Sequence, residues 1–102
     1  MPRRPHADDM STLHIEHPIT DYPTWKAAFD RFATARTQAG VTAYRIRQPE
    51  DDDRFIVVDL EFADTEAAHR FHGFLKDTVW GNPERSPALV GTPLARVLLD
   101  RE

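Results

Sequence analysis

The chain has no cysteine, so thiolate nucleophiles, thiolate metal centres and disulfides are absent, and acid–base work falls to five histidines and the carboxylates. His14 lies in the alternating stretch Thr12 to His17, two residues from Glu16. An imidazole with an ordinary pKa of about 6.5 can take or give a proton near neutral pH, and His14 beside Glu16 fits either that role or a satisfied polar pair. His69 and His72 stand three apart in a helical stretch, near enough to share a metal. No third histidine or carboxylate occupies that face at ligand spacing, so an edge or surface role is the better reading and no metal is expected. Glu50-Asp51-Asp52-Asp53 lacks the alternation and the glycine of a calcium loop and reads as a solvated tip that discourages edge-to-edge pairing.

The elements that must position these groups follow from periodicity. Leu13, Ile15 and His17 alternate with Thr12, His14 and Glu16, the pattern of a half-buried strand. Pro18 stops it, Asp21 stands as an N-cap and Pro23 sits in the first helical turn. Between Trp25 and Ala39 the apolar residues Trp25, Ala28, Phe29, Phe32, Ala33 and Ala39 recur at helical spacing, and Gly40 ends the helix. Arg36 interrupts this stripe four residues beyond Phe32. Either its stem covers the core edge while the guanidinium snorkels to water or to the helix C-terminus, or it pairs with a carboxylate near the sheet. Val41 to Gln48 and Arg54 to Phe62 read as strands of a hairpin around the acidic tip. Asp64 caps a second helix running to about Val79, with Ala67, Ala68, Phe71, Phe74, Leu75, Thr78 and Val79 as its apolar arc and His72 at the edge. Trp80-Gly81-Asn82-Pro83 breaks it, and Thr92 to Asp100 supplies a last strand.

Two successive β-α-β units predict an α+β, ferredoxin-like βαββαβ domain over residues 11–102, preceded by a disordered tail over 1–10. Right-handed crossovers give the strand order 4-1-3-2, with both helices on one face of an antiparallel four-stranded sheet. The other face then carries His14 and Glu16; Ala43, Arg45 and Arg47; Phe55, Val57, Asp59 and Glu61; and Leu94, Arg96 and Leu98. It is too apolar for water and too charged for a simple core, which predicts cover by a second copy. A net charge of -4 argues against nucleic-acid binding, no run approaches the about 20 apolar residues of a membrane span, and no secretory leader is visible. A cytoplasmic protein is expected by default.

Asp21-Tyr22-Pro23-Thr24-Trp25-Lys26-Ala27-Ala28-Phe29-Asp30, then Arg36, Gly40-Val41, the strand ending at Phe62, Asp64-Thr65-Glu66-Ala67 and Gly91-Thr92-Pro93 resemble the dimeric α+β barrel superfamily, near the antibiotic-biosynthesis monooxygenases. The resemblance implies a homodimer with facing sheets and a small-molecule cavity in each subunit, between the sheet and its helices or near the dimer seam. It covers cofactor-free oxygenases, haem-degrading enzymes, isomerases, cyclases and members without a known reaction. Haem degradation is disfavoured, because those members use a sheet asparagine and the only one here, Asn82, follows the second helix; no cofactor is expected. A cofactor-free oxygenase acting on a small aromatic ligand would take His14 or His72 as base and Arg45 or Arg96 as anion stabiliser. Trp25, Tyr44, Phe71 or Trp80 would be its stacking walls, with Asp59 beside them. The alternatives are a ligand-binding domain without turnover and a structural dimerisation module in which Arg45, Asp59, Glu61 and Arg96 form interfacial ion pairs.

Overall fold

The computed structural model describes residues 10–101. The predicted N-terminal tail lies outside the described residues apart from Met10. The element order is β1 (Ser11–Pro18), α1 (Tyr22–Arg31), α2 (Ala33–Ala39), β2 (Val41–Arg47), β3 (Phe55–Phe62), α3 (Thr65–Phe74), a π-helical turn (Leu75–Val79) and β4 (Leu94–Leu99). The sheet is antiparallel with order β2-β3-β1-β4, the order that the double β-α-β reading predicts.

Strand parity holds across the sheet. Leu13, Ile15 and His17 of β1 and Ile56, Val58, Leu60 and Phe62 of β3 are buried against the helices, with Phe71 and Ala68 of α3 above them. The opposite parity brings His14 across from Asp59 on one side and Arg96 on the other, and Arg45 across from Asp59.

Both helical entries are capped as the sequence predicts. Asp21 and Asp64 are extended, and each accepts from the backbone N–H three residues on, Thr24 at 2.8 Å and Ala67 at 2.7 Å. Gly40 closes α2 at φ +100°, a left-handed conformation that a side chain would strain.

Two departures from the sequence reading shape the space above the sheet. The stretch from Trp25 to Ala39 is two helices, because Phe32 leaves helical geometry at φ −99° and ψ 14°. The Phe29 carbonyl there accepts both the Phe32 N–H at 3.1 Å and the Arg36 guanidinium, so the break and the arginine share one acceptor. The second helix loosens after Phe74 into a π turn, where Trp80 N–H reaches back five residues to Leu75 O at 2.7 Å. Beyond it, residues 81–93 fold back over the end of β1. Thr20 N–H donates to Ala88 O at 2.9 Å and Val90 N–H to Pro18 O at 3.2 Å, which pins this connection beside His17.

The capping bond of Asp64 makes one quantitative expectation. Asp64→Ala loses about 1 kcal/mol of unfolding free energy in urea with an unchanged m-value, and no change in the urea midpoint would show that the cap is idle.

Candidate functional site

Helices cover the sheet incompletely, and the gap is a cleft of about 660 Å³ counted out to its open mouth. Ile15, Val58 and Leu60 form its floor. Ala28, Phe29 and Phe32 from the α1 region and Phe71, Leu75 and Val79 from α3 and the π turn form its sides, with Trp25 and Trp80 among them. Ser86, Ala88 and Leu89 of the pinned connection close one end. Aromatic contacts hold the walls. Trp25 stacks on Phe29 with centroids 4.9 Å apart, Phe29 meets Tyr44 edge-on at 5.2 Å, and Phe71 stacks on Phe74 at 5.5 Å.

Three ionisable groups line this apolar space: His17, Arg36 and Arg85. His17 is only 5% exposed and its Nδ1 lies 2.9 Å from Pro18 O. A carbonyl can only accept, so Nδ1 carries the proton and Nε2 keeps its lone pair. Among the described residues the sole fully enclosed side-chain polar atom without a partner is Ser11 Oγ, so Nε2 is not sealed in protein. His17 is one of the residues that line the cleft. Burial pushes the His17 pKa below its ordinary value, and the bond to Pro18 O offsets part of that, which keeps the imidazole neutral and basic at pH 7.

Arg36 is 6% exposed, although it carries a charge. Its Cζ sits 3.6 Å from the Phe29 ring centroid and 5.3 Å from that of Tyr44, and Nη1 donates to Phe29 O. Of the two readings from sequence, the ion pair with a carboxylate is not found among the described residues, and the other holds in its helix-terminus form, because the guanidinium reaches a carbonyl in the last turn of α1 and not water. The driving reason is the aromatic stripe itself, which offers a buried guanidinium two ring faces and a helix carbonyl. Burial lowers its pKa, against the fields of Tyr44 and Asp30, and the guanidinium stays charged at neutral pH.

The residues singled out from sequence divide between the two faces of the sheet. Trp25, Phe71 and Trp80 line the cleft, and Tyr44 stands behind its Phe29 wall, half exposed. His72 packs edge-on against Trp80 at 5.9 Å without lining the cleft, and desolvation, then Lys76 and His69, lowers its pKa. His14, Arg45, Asp59 and Arg96 are on the open face. There His14 Nδ1 meets Asp59 Oδ1 at 2.7 Å, and Arg47 Nη2 donates to Asp59 Oδ2 at 2.7 Å. Glu16 is 3.9 Å from His14 Nε2, a weaker approach than the one the strand spacing suggests. Among the described residues no three or more histidines and carboxylates gather in a way that could hold a metal, and no helix is long and apolar enough to cross a membrane.

Sequence reasoning passed over His17 and Arg36 as site residues. The signal for His17 was its parity, since the third member of the Leu13, Ile15, His17 stripe had to be buried, and a buried imidazole needs a partner.

No protein-family model matches the chain, and no curated protein sequence matches it. Solved structures do. The cofactor-independent oxygenase SnoaB from Streptomyces nogalater superposes with a TM-score of 0.67 at 18% identity, over 92% of this chain and 95% of that one. The shared fold is the ferredoxin-like α+β arrangement. Two further structures share this fold. One is a dimeric ferredoxin-like protein from an uncultured marine organism, at TM-score 0.62 and 12% identity over 91% of this chain and 96% of that one. The other is the ActVA-Orf6 monooxygenase of Streptomyces coelicolor, solved with nanaomycin D, at TM-score 0.59 and 14% identity over 97% and 92%.

The depressed pKa of His17 fixes the sign of a pH effect. An unfolded chain takes up the proton near pH 6.5 while the folded one resists, so stability falls as pH drops below about 6.5 and levels off once the folded value is passed. His72 is shifted the same way and contributes in the same window. The Tm of the wild type therefore falls as pH drops below about 6.5, and His17→Gln flattens that slope; an equal slope in the variant would mean that His17 is already charged in the fold.

Proposed function

We propose that this chain is a small-molecule cavity protein of the cofactor-independent monooxygenase type. It acts on a flat aromatic substrate held in the cleft. The observation that carries this reading is a buried, neutral His17, its Nδ1 engaged by Pro18 O and its Nε2 not sealed in protein, lining a space walled by Trp25, Phe29, Phe71 and Trp80. A base in dry surroundings beside stacking walls suits removal of an acidic C–H from a ring system that delocalises the resulting charge. His17 Nε2 takes the proton from a ring CH2, and the carbanion adds to dioxygen to form a peroxide. His17 returns its proton to the outer oxygen, and the O–O bond breaks with loss of the second C–H proton. The balance is one CH2 and one O2 giving one C=O and one water.

The molecule works as a homodimer through its open sheet face. Leu94 and Leu98 are 44% and 42% exposed there, next to half-buried Phe55 and Val57, and such a patch is the mark of an interaction surface. The likeness to proteins described as dimeric and ferredoxin-like supports the same assembly.

A structural dimerisation module is the second reading. The Arg47–Asp59–His14 network favours it, because these charges satisfy one another on the face to be covered and need no substrate.

Oxygen uptake with anthrone as substrate separates the two. The wild type consumes oxygen without added metal or organic cofactor, and His17→Gln lowers kcat by about a hundredfold or more while His14→Gln does not. Absence of uptake by the wild type, or equal loss in both variants, would remove the cleft from the chemistry. Sedimentation of the wild type gives a dimer and Leu98→Glu gives a monomer; a wild-type monomer would end the sheet-face assembly.

A further inference from the structure

The charge of the cleft is opposite to that of the chain around it. Asp and Glu outnumber Lys and Arg by 17 to 13, yet among the described residues no carboxylate lines the cleft and its two permanently charged groups are both arginines. Arg85 stands exposed with its guanidinium 3.4 Å from Thr78 O. Arg36 is the deeper of the two, and it is there without a counter-ion. Asp30, the carboxylate whose field reaches it, is held by Lys26 Nζ at 2.7 and 2.9 Å. The Phe29 and Tyr44 rings and the Phe29 carbonyl partly compensate the charge. A guanidinium has five N–H donors, and among the described residues Arg36 uses them only on Phe29 O. No nitrogen of Arg36 is among the fully enclosed partnerless atoms, so its remaining donors are not sealed in protein, and the residue lines the cleft. A buried cation is expensive unless an anion completes it, and among the described residues no carboxylate does.

We propose that Arg36 is an anion-recognition residue and that the cleft takes aromatic ligands carrying an anionic oxygen, whether a carboxylate or a phenolate. Register places this group away from His17. Tyr44, which shares Arg36, pairs with Leu60 and so lies in the row of Leu13, whereas His17 pairs with Ile56, four residues along β1 and two strands across from β2. The anionic oxygen therefore sits at one corner of the floor and the base at the other. A ligand must present both ends to use both groups. This inference rests on the cleft being a ligand site and not on turnover.

Isothermal titration calorimetry with 2-naphthoate, 2-naphthol and the neutral isostere 2-naphthamide tests it. The wild type binds 2-naphthoate at least about tenfold more tightly than 2-naphthamide, as one charge-assisted hydrogen bond provides. Arg36→Met abolishes that preference, Arg36→Lys retains part of it, and Arg70→Met, on the outer surface of α3, leaves it unchanged. If phenolates are the source, 2-naphthol gains affinity as pH rises toward its own pKa and loses that gain in Arg36→Met; if carboxylates are, only 2-naphthoate shows the preference. Equal affinity for 2-naphthoate and 2-naphthamide in the wild type overturns the proposal, as does a preference surviving in folded Arg36→Met. Should that variant fail to fold, an undiminished preference in Arg36→Lys or none in the wild type overturns it alike. Naphthoate binding with this dependence but no oxygen uptake from anthrone would sink the oxygenase reading and leave the anion site standing.

Discussion

A four-stranded sheet has two faces, and the helices of this chain pack on one of them. That imbalance governs the rest of the molecule. On the covered side Leu13, Ile15, Ile56, Val58, Leu60 and Phe62 are withdrawn from water, and their burial supplies the main drive for folding. On the other side the alternate residues remain, and the mixture of Leu94, Leu98, His14 and Asp59 has to be covered, watered or paired. The covering is also imperfect in a particular way. The break at Phe32 and the π turn at Leu75–Val79 keep the two helical arms from closing over the centre of the sheet, and the cleft is what they leave.

Within the cleft two polar groups persist where packing alone would favour neither. His17 donates its Nδ1 proton to a backbone carbonyl and so keeps its lone pair on Nε2, in a residue that lines the cavity. Arg36 spends ring stacking and one hydrogen bond on holding a cation in place and leaves its other donors unused. Buried polar groups left partly unsatisfied cost stability, and proteins retain them chiefly at functional positions. The open face differs in kind, since His14, Asp59 and Arg47 close on one another and leave no comparable vacancy.

The fold was legible because its signals are periodic and local. Alternation in β1 and β3 assigned every side chain to a face, and Asp21 and Asp64 marked the helix starts by their own hydrogen bonds. The site was less legible because its residues are polar members of apolar stripes. His17 shares the parity of Leu13 and Ile15, and Arg36 follows Phe29 and Phe32 at helical spacing, so both look like exceptions to a core until tertiary structure shows what they face. His14, Arg45, Asp59 and Arg96 had the opposite fate, since their types suggest chemistry and the sheet places them away from the cleft. Trp25, Phe71 and Trp80 were readable as walls because large aromatics on two facing helices must meet over the sheet.

A ligand held between helices and sheet meets the chain's only two tryptophans, Trp25 and Trp80, which both line that space. Their indole N–H signals can therefore be followed directly in a 1H–15N correlation spectrum during titration with 2-naphthoate. Both indole signals should move together and saturably, while the backbone amides of His14, Arg96 and Leu98 stay in place. Movement confined to those open-face amides, with both indoles unmoved, would contradict binding in that space.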